Sequence, residues 1–482
     1  MAILTIHDHE KTVTVEFEPP SDLYDVLQEA GIFVDLLCAG QGICGKCKAE
    51  ISGDVSAPNA QEIKHGTRLI CQTVLLGDAE VHMTLRQTVY SPLFEEFEQE
   101  DPSSACAGIA LDIGTTTISL YTYALPIGQI LGTYGCENPQ RIIGSDVLSR
   151  IQAAMEGKGP LLQELILNVI PKTSLIKKAV IVGNTAMLYF LLGKDPSALS
   201  HAPFEADDLF GRTEDILGIS SYLPPCMNAF VGADTTAAVL AAGMCDREEI
   251  SLLADIGTNG ELALWKDGTL YVTSTAAGPA FEGAGISQGS GAIPGSIDKV
   301  RIENGAIRVH VIGEDAAKSI CGSGLLDAVA SMLALGVIDE TGAMEAEHFP
   351  LTETVSLTRK DVRSVQLAKG AVRAGIETLA KVSGTDLSKI TALYLAGNFG
   401  SHLSIKSAAA IGLIPPVLRD RTKVLGNAAL KGAGIMLLDP AKVREAERIA
   451  SLSRHVDLGG NPLFNDLFVE NMLFTEGTGL CT

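Results

Sequence analysis

The chain has 482 residues, more than the roughly 250–300 at which one hydrophobic core stops growing, so two or three folding units are expected. A hydrophobic content of 46% with scattered glycine and proline excludes a collagenous, low-complexity or largely disordered chain. A formal charge of -22, from 36 basic and 58 acidic residues, disfavours nucleic acid or an anionic membrane as partner; a basic patch on a protein suits it better.

The N-terminus, MAILTIHDHEKTVTVEFE, carries acids and alternation where a secretory signal needs a basic start and an apolar core. No run of about 18 uncharged apolar residues follows. A soluble cytoplasmic protein is expected, whose ten cysteines are reduced thiols or metal ligands and not disulfides. Residues 3–6 and 13–17 predict two strands about a polar turn from His7 to Lys11. Ser21 is expected to cap a helix over DLYDVLQEAG that ends at Gly31.

The cysteine loop comes next. Cys38, Cys44 and Cys47 lie in CAGQGICGKC, and Cys71 follows after 23 intervening residues. Four thiolates are what a two-iron cluster requires, two per iron. Gly40, Gly42 and Gly45 let the backbone wrap closely and turn N–H groups toward the sulfurs. Tetrahedral zinc is the competing reading, but zinc sites usually pair two C-x-x-C knuckles, and only Cys44 and Cys47 form one. Cys106, Cys136, Cys226, Cys245, Cys321 and Cys481 show no ligand spacing and read as buried apolar thiols. The histidines have no ligand spacing either; His402 sits nearest a candidate motif.

Residues 86–105, with Pro92, Pro102 and an acid-rich stretch, suit a linker, or an exposed amphipathic helix around Phe94 and Phe97. The expected units are therefore 1–85, a linker 86–105, and the halves 106–250 and 251–482. From Gly108 apolar strands alternate with helical segments, an α/β pattern. Within it Asp112-Ile-Gly114-Thr115-Thr116-Thr117 recurs as Asp255-Ile-Gly257-Thr258-Asn259-Gly260, each between two β runs. Two copies imply two homologous halves with a cleft between them. Such a turn aims backbone N–H and threonine hydroxyls at phosphate oxygens and leaves Asp112 and Asp255 for Mg²⁺ or water. A third element, Ala392 to Ala396 followed by Gly397-Asn398-Phe399-Gly400, offers a glycine-rich turn for an adenine ring.

The spacing C-x5-C-x2-C resembles adrenodoxin-like and corrinoid-activator ferredoxin domains. That resemblance implies a small α+β unit of β-grasp type holding a [2Fe-2S] cluster on Cys38, Cys44, Cys47 and Cys71. The gap to Cys71 is shorter than in adrenodoxins. The three later motifs resemble the superfamily of actin, sugar and acetate kinases and the large heat-shock chaperones. They imply an α/β, duplicated ribonuclease-H-like ATPase domain that binds ATP and Mg²⁺, with Asp112 and Asp255 catalytic. Gly114, Thr115, Thr116, Thr117, Gly257, Thr258, Asn259, Gly260, Asp234, Gly397, Asn398 and Gly400 would contact the nucleotide. Stretches Val231–Ala237 and Gly426–Ala433 resemble the two connecting helices of that superfamily, whose small residues permit hinge closure. Asn398 departs from the kinases, where a second glycine is frequent.

The combination resembles the reductive activators of corrinoid proteins, and the likeness extends to Gly183-Asn184-Thr185-Ala186-Met187, Ala277-Gly278-Pro279-Ala280-Phe281-Glu282-Gly283 and Cys321-Gly322-Ser323-Gly324. It implies that one electron passes to cob(II)alamin on a partner corrinoid protein of a methyltransferase system. ATP hydrolysis then helps regenerate cob(I)alamin, and an upstream low-potential donor reloads the cluster. An activator of another low-potential metalloenzyme, or a redox-sensing small-molecule kinase, is the alternative. Longer relatives carry a dimerisation segment between linker and ATPase, for which Arg86 to Ala105 leaves little room, so a homodimer stays open.

Overall fold

The computed structural model describes residues 1–7, 12–30, 32, 47–83, 106–173, 175–313, 316–400 and 403–474. Cys38, Cys44, the 86–105 linker, His402 and Cys481 lie outside these residues, as do the side chains of Cys106 and Asn398.

The alternation at the N-terminus forms a hairpin, β1 (Ala2–His7) with β2 (Thr12–Phe17), in which Leu4 and Ile6 turn inward. Next come β3 (Ser21–Asp22), the helix Leu23–Glu29, β4 (Lys48–Val55), β5 (Arg68–Leu69) and β6 (Val74–His82). They build one sheet in the order β2-β1-β6-β4-β5, with β3 on β6. Leu4, Ile6, Leu23, Leu27, Leu75 and Val81 fill its core. Ser21 does not cap the helix. Its backbone pairs with Leu75 of β6, and its hydroxyl donates to the Glu18 carbonyl at 2.5 Å, so the ladder has claimed the residue first.

The first α/β half holds β7 (Cys106–Ile113), β8 (Thr117–Leu125), β9 (Gln129–Glu137), β10 (Ile176–Gly183), β11 (Arg212–Ile216) and β12 (Ile219–Leu223). The second begins with β13 (Ser251–Ile256), β14 (Gly260–Lys266) and β15 (Thr269–Thr275). A three-stranded sheet of β16 (Ser296–Glu303), β17 (Ala306–Val311) and β18 (Ser319–Ile320) follows, then a hairpin of β19 (His348–Pro350) and β20 (Ser356–Thr358). The half closes with β21 (Ala392–Ala396), β22 (Thr422–Gly426) and β23 (Ser453–His455).

The sheets run β9-β8-β7-β10-β12 and β15-β14-β13-β21-β22, with β11 and β23 added at opposite edges. In each, the strand ending in Asp-Ile pairs antiparallel with the strand after it and parallel with a later one. The duplicated sequence thus has a duplicated topology. The central strands read as continuous apolar runs because both faces are covered: Ile109, Ala110 and Leu111 are buried, as are Leu252, Leu253 and Ala254.

Helix Ala233–Ala242 packs against helix Ala428–Leu438, and the latter lies on β7 and β10 although it belongs to the second half. The small residues set the approach: a Cβ on Gly432 would stand 2.0 Å from the Ala237 carbonyl oxygen. No helix among the described residues is long and apolar enough to cross a membrane.

Candidate functional sites: a thiolate pair and a carboxylate-lined cleft

Cys47 enters β4, and Cys71 sits on the 3-10 turn Ile70–Gln72. The backbone ties the two together, because Ile70 N–H donates to the Cys47 carbonyl at 2.9 Å. Their Sγ atoms lie 3.3 Å apart, close enough to share one metal ion. The hydrogen bond between the two sulfurs, against the opposing effect of burial, lowers Cys47 to about 6, so it readily becomes the thiolate a metal needs.

Sequence reasoning passed over the residue that fixes this turn. Glu62 is 1% exposed, and its Oε1 accepts from Arg68 Nε at 2.8 Å, Leu69 N at 3.0 Å and Thr73 Oγ1 at 3.2 Å. Its Oε2 accepts from the Asn59 N–H at 3.0 Å, closing a capping box on helix Ala60–His65. The Asn59/Glu62 spacing is that motif's signature; nothing in it announces Leu69 and Thr73.

In the cleft, Asp112 and Asp255 end β7 and β13, and each is followed by a tight loop into the next strand. Gly114 N–H donates to the Thr117 carbonyl at 2.9 Å, and Gly257 N–H to the Asn259 carbonyl at 2.9 Å. A Cβ on Gly114 would stand 2.7 Å from that Thr117 oxygen, so this turn needs glycine. Thr117 and Gly260 already belong to strands, and Gly260 packs against Thr275. Thr115, Thr116 and Thr258 are the hydroxyl-bearing residues between the strands.

The loops meet across the cleft through Glu282, which the motifs quoted above contain but do not single out. Thr116 Oγ1 donates to its Oε2 at 2.8 Å, and Thr258 Oγ1 to its Oε1 at 2.7 Å. Arg150, fully buried, supports the first loop from behind, donating to the carbonyls of Thr115 at 2.7 Å and Gly144 at 2.8 Å. Burial lowers its pKa to about 9. Asn184 donates to Thr115 Oγ1 at 2.9 Å while capping its own helix. Asn427 does the same for Asp112, its Nδ2 donating to Oδ2 at 2.9 Å. No periodicity or spacing marks Arg150 or Asn427, because their partners lie 35 and 315 residues away.

Gly397 opens a four-residue helical turn, Gly397–Gly400, where a plain glycine-rich turn was expected. It has φ 84°, and a Cβ there would stand 2.3 Å from Asp255 Oδ1. The third motif therefore adjoins the second aspartate. Phe399 stacks on Phe281 at 5.0 Å, joining this turn to the Glu282 segment. Gly400 packs back on Leu395 instead of toward the carboxylates.

Four carboxylates are close enough to feel one another. Burial, then the charge of Asp234, raises Asp112 to about 8, with the Asn427 amide opposing. Burial, then Asp234, raises Asp255 to about 7, and burial raises Asp234 itself to about 6. Glu261 is pushed well above the usual range by burial and then by Asp234 and Asp255. Such a group is stable only with shared protons or a cation. Oxygen donors beside threonine hydroxyls are the set a hard divalent ion carrying a polyphosphate would use. Of the expected thiols, Cys226, Cys245 and Cys321 are buried and Cys136 is half-buried.

Three families match the chain in succession. The 2Fe-2S iron-sulfur cluster binding domain matches residues 6–76, the RACo middle region 107–247, and the C-terminal domain of RACo, the ASKHA domain, 249–480. The middle-region match falls on the first of the two duplicated sheets. A corrinoid activation enzyme of Eubacterium limosum, RamQ, is 32% identical over 88% of this chain and 78% of its own length. The [Co(II) methylated amine-specific corrinoid protein] reductase of Methanosarcina barkeri is 25% identical over 78% of each chain. Among solved structures, a reductive activator for corrinoid, iron-sulfur protein superposes with a TM-score of 0.71 at 26% identity, covering 100% of this chain and 99% of the other.

Proposed function

The chain belongs to the family of reductive activators of corrinoid proteins, and on that premise we propose that it returns cob(II)alamin on a partner corrinoid protein of a methyltransferase system to cob(I)alamin, at the expense of ATP. One observation carries the reading: a single chain joins a close cysteine pair on a ferredoxin-type sheet to paired Asp-Ile-Gly-Thr loops facing each other across a carboxylate-lined cleft.

Cys38, Cys44, Cys47 and Cys71 would hold a [2Fe-2S] cluster, Cys47 and Cys71 being close enough to share one iron. When bound, that cluster supplies one-electron transfer near −400 mV if it behaves as plant-type examples do, about which reduction to Co(I) is uphill. A second source of free energy is therefore needed, and the cleft provides it. Asp112, Asp234 and Asp255 would hold Mg²⁺, the Gly114–Thr117 and Gly257–Gly260 loops would contact the phosphates, and the Gly397–Gly400 turn, with Asn398, would offer its backbone to the adenine. Because the two loops belong to different sheets, a nucleotide held by both changes the gap between the halves. Hydrolysis can then shift affinity for one state of the corrinoid protein. A low-potential donor must reload the cysteine site after each turnover.

Two variants test this division of labour on purified, cluster-loaded protein. Asp112→Ala is expected to lose ATP-dependent activation and keep the visible cluster spectrum. Cys47→Ala is expected to lose iron and keep nucleotide affinity. Activation retained by the first, or full iron content in the second, would contradict the assignment.

A further inference from the structure

Glu282 ends the short turn Pro279–Glu282, and its surroundings hold it rigidly. A Cβ on Gly283 (φ 79°) would stand 2.3 Å from the Ser290 carbonyl oxygen, and one on Gly322 would stand 1.8 Å from that of Phe281. With Phe281 also stacked on Phe399, the backbone on both sides is clamped. From this position the carboxylate accepts one hydroxyl hydrogen bond from each loop, Thr116 at 2.8 Å and Thr258 at 2.7 Å.

A threonine hydroxyl has one proton to donate. Thr116 and Thr258 cannot serve Glu282 and a phosphate oxygen at once, and a carboxylate beside a polyphosphate repels it. We propose that Glu282 is a nucleotide-displaced clasp, an internal anion that ties the two loops together and must release both threonines when a nucleoside triphosphate enters. The inference rests on the cleft being an ATP site. It deepens that reading by making nucleotide affinity a difference between two anions competing for the same donors. Glu282 is thus a positioning residue: departure of the two threonines from it marks the cleft as filled, and their return after product loss draws the loops together again.

The test uses the full-length, cluster-loaded protein and titrates a fluorescent ATP analogue with Mg²⁺ alongside steady-state ATP hydrolysis. Glu282→Gln keeps the shape and removes the charge; it is expected to bind nucleotide about tenfold tighter, with kcat changed less than Kd. Should Glu282→Gln fail to fold, as judged by melting and the cluster spectrum, Glu282→Ala carries the same expectation. Binding no tighter than wild type overturns the clasp, as does a fall in kcat with unchanged Kd, which would make Glu282 a base in the chemistry. If the wild-type chain itself binds no ATP, the nucleotide reading falls and the clasp with it. Tight wild-type binding with an unresponsive variant removes the clasp alone.

Discussion

The two Asp-Ile-Gly-Thr loops share a sequence and a strand–turn–strand backbone, yet their aspartates are supported in different ways. Asp112 receives an amide hydrogen bond from Asn427, carried in on a helix of the other half. Asp255 lies against the bare backbone of Gly397, the residue just past the end of the strand beside it. The difference teaches that a duplicated cleft is not a symmetric one. The first carboxylate is coupled to the opposite half through a side chain, whereas the second is confined within its own half by a space only glycine leaves.

Breaking that comparison gives effects of decreasing size. Replacing either carboxylate, Asp112→Ala or Asp255→Ala, is expected to abolish ATP-dependent turnover, which a phosphate-release assay reads directly. Gly397→Ala comes next. The left-handed backbone alone costs about 1–2 kcal/mol for a residue with a Cβ, and the new methyl would displace Asp255. Nucleotide affinity should fall at least tenfold with the iron content unchanged; wild-type affinity would mean that the turn does not border the site.

Asn427→Ala is milder. Asp112 gives up its proton to hold Mg²⁺, and a hydrogen bond to the resulting charged group contributes about 1.5–3 kcal/mol, so Mg²⁺-nucleotide affinity should weaken about tenfold or more. Affinity as in wild type would show that Asp112 needs no partner from the other half. A separate effect is in stability. Asp112 holds its proton up to about 8 in the folded chain, against an ordinary value of 3.8. Between those values the folded state binds more protons than the unfolded one, so this group's contribution is full at acid pH and is lost as pH rises toward about 8. Melting of nucleotide-free protein from pH 5 to 8 should therefore fall less steeply in Asp112→Asn than in wild type; equal slopes would contradict the buried, proton-holding Asp112.

What the sequence disclosed was whatever chemistry lies in consecutive residues. The cysteine spacing, the hairpin around residues 3–17 and the repeated Asp-Ile-Gly-Thr loops are local patterns, and the shared strand order of the two sheets follows from the repeat. Ser21 misled because a cap and a short strand compete for the same residue, and pairing to Leu75 is decided by tertiary structure. Arg150, Asn427, Glu62 and Glu282 stayed hidden for a related reason. Each is an ordinary polar residue on its own segment, and it gains a role only when folding brings up a partner from elsewhere in the chain. The repeated Asp-Ile-Gly-Thr turns were thus readable, but not what aligns them.

Anaerobic visible spectroscopy of a corrinoid protein held as cob(II)alamin, with this chain cluster-loaded and supplied with a reductant, tests the central claim most directly. Adding ATP and Mg²⁺ should bring up the cob(I)alamin band, and omitting ATP should leave the Co(II) spectrum in place. A Co(I) band that grows equally without ATP, or none at all with the cluster intact and ATP present, would contradict the account.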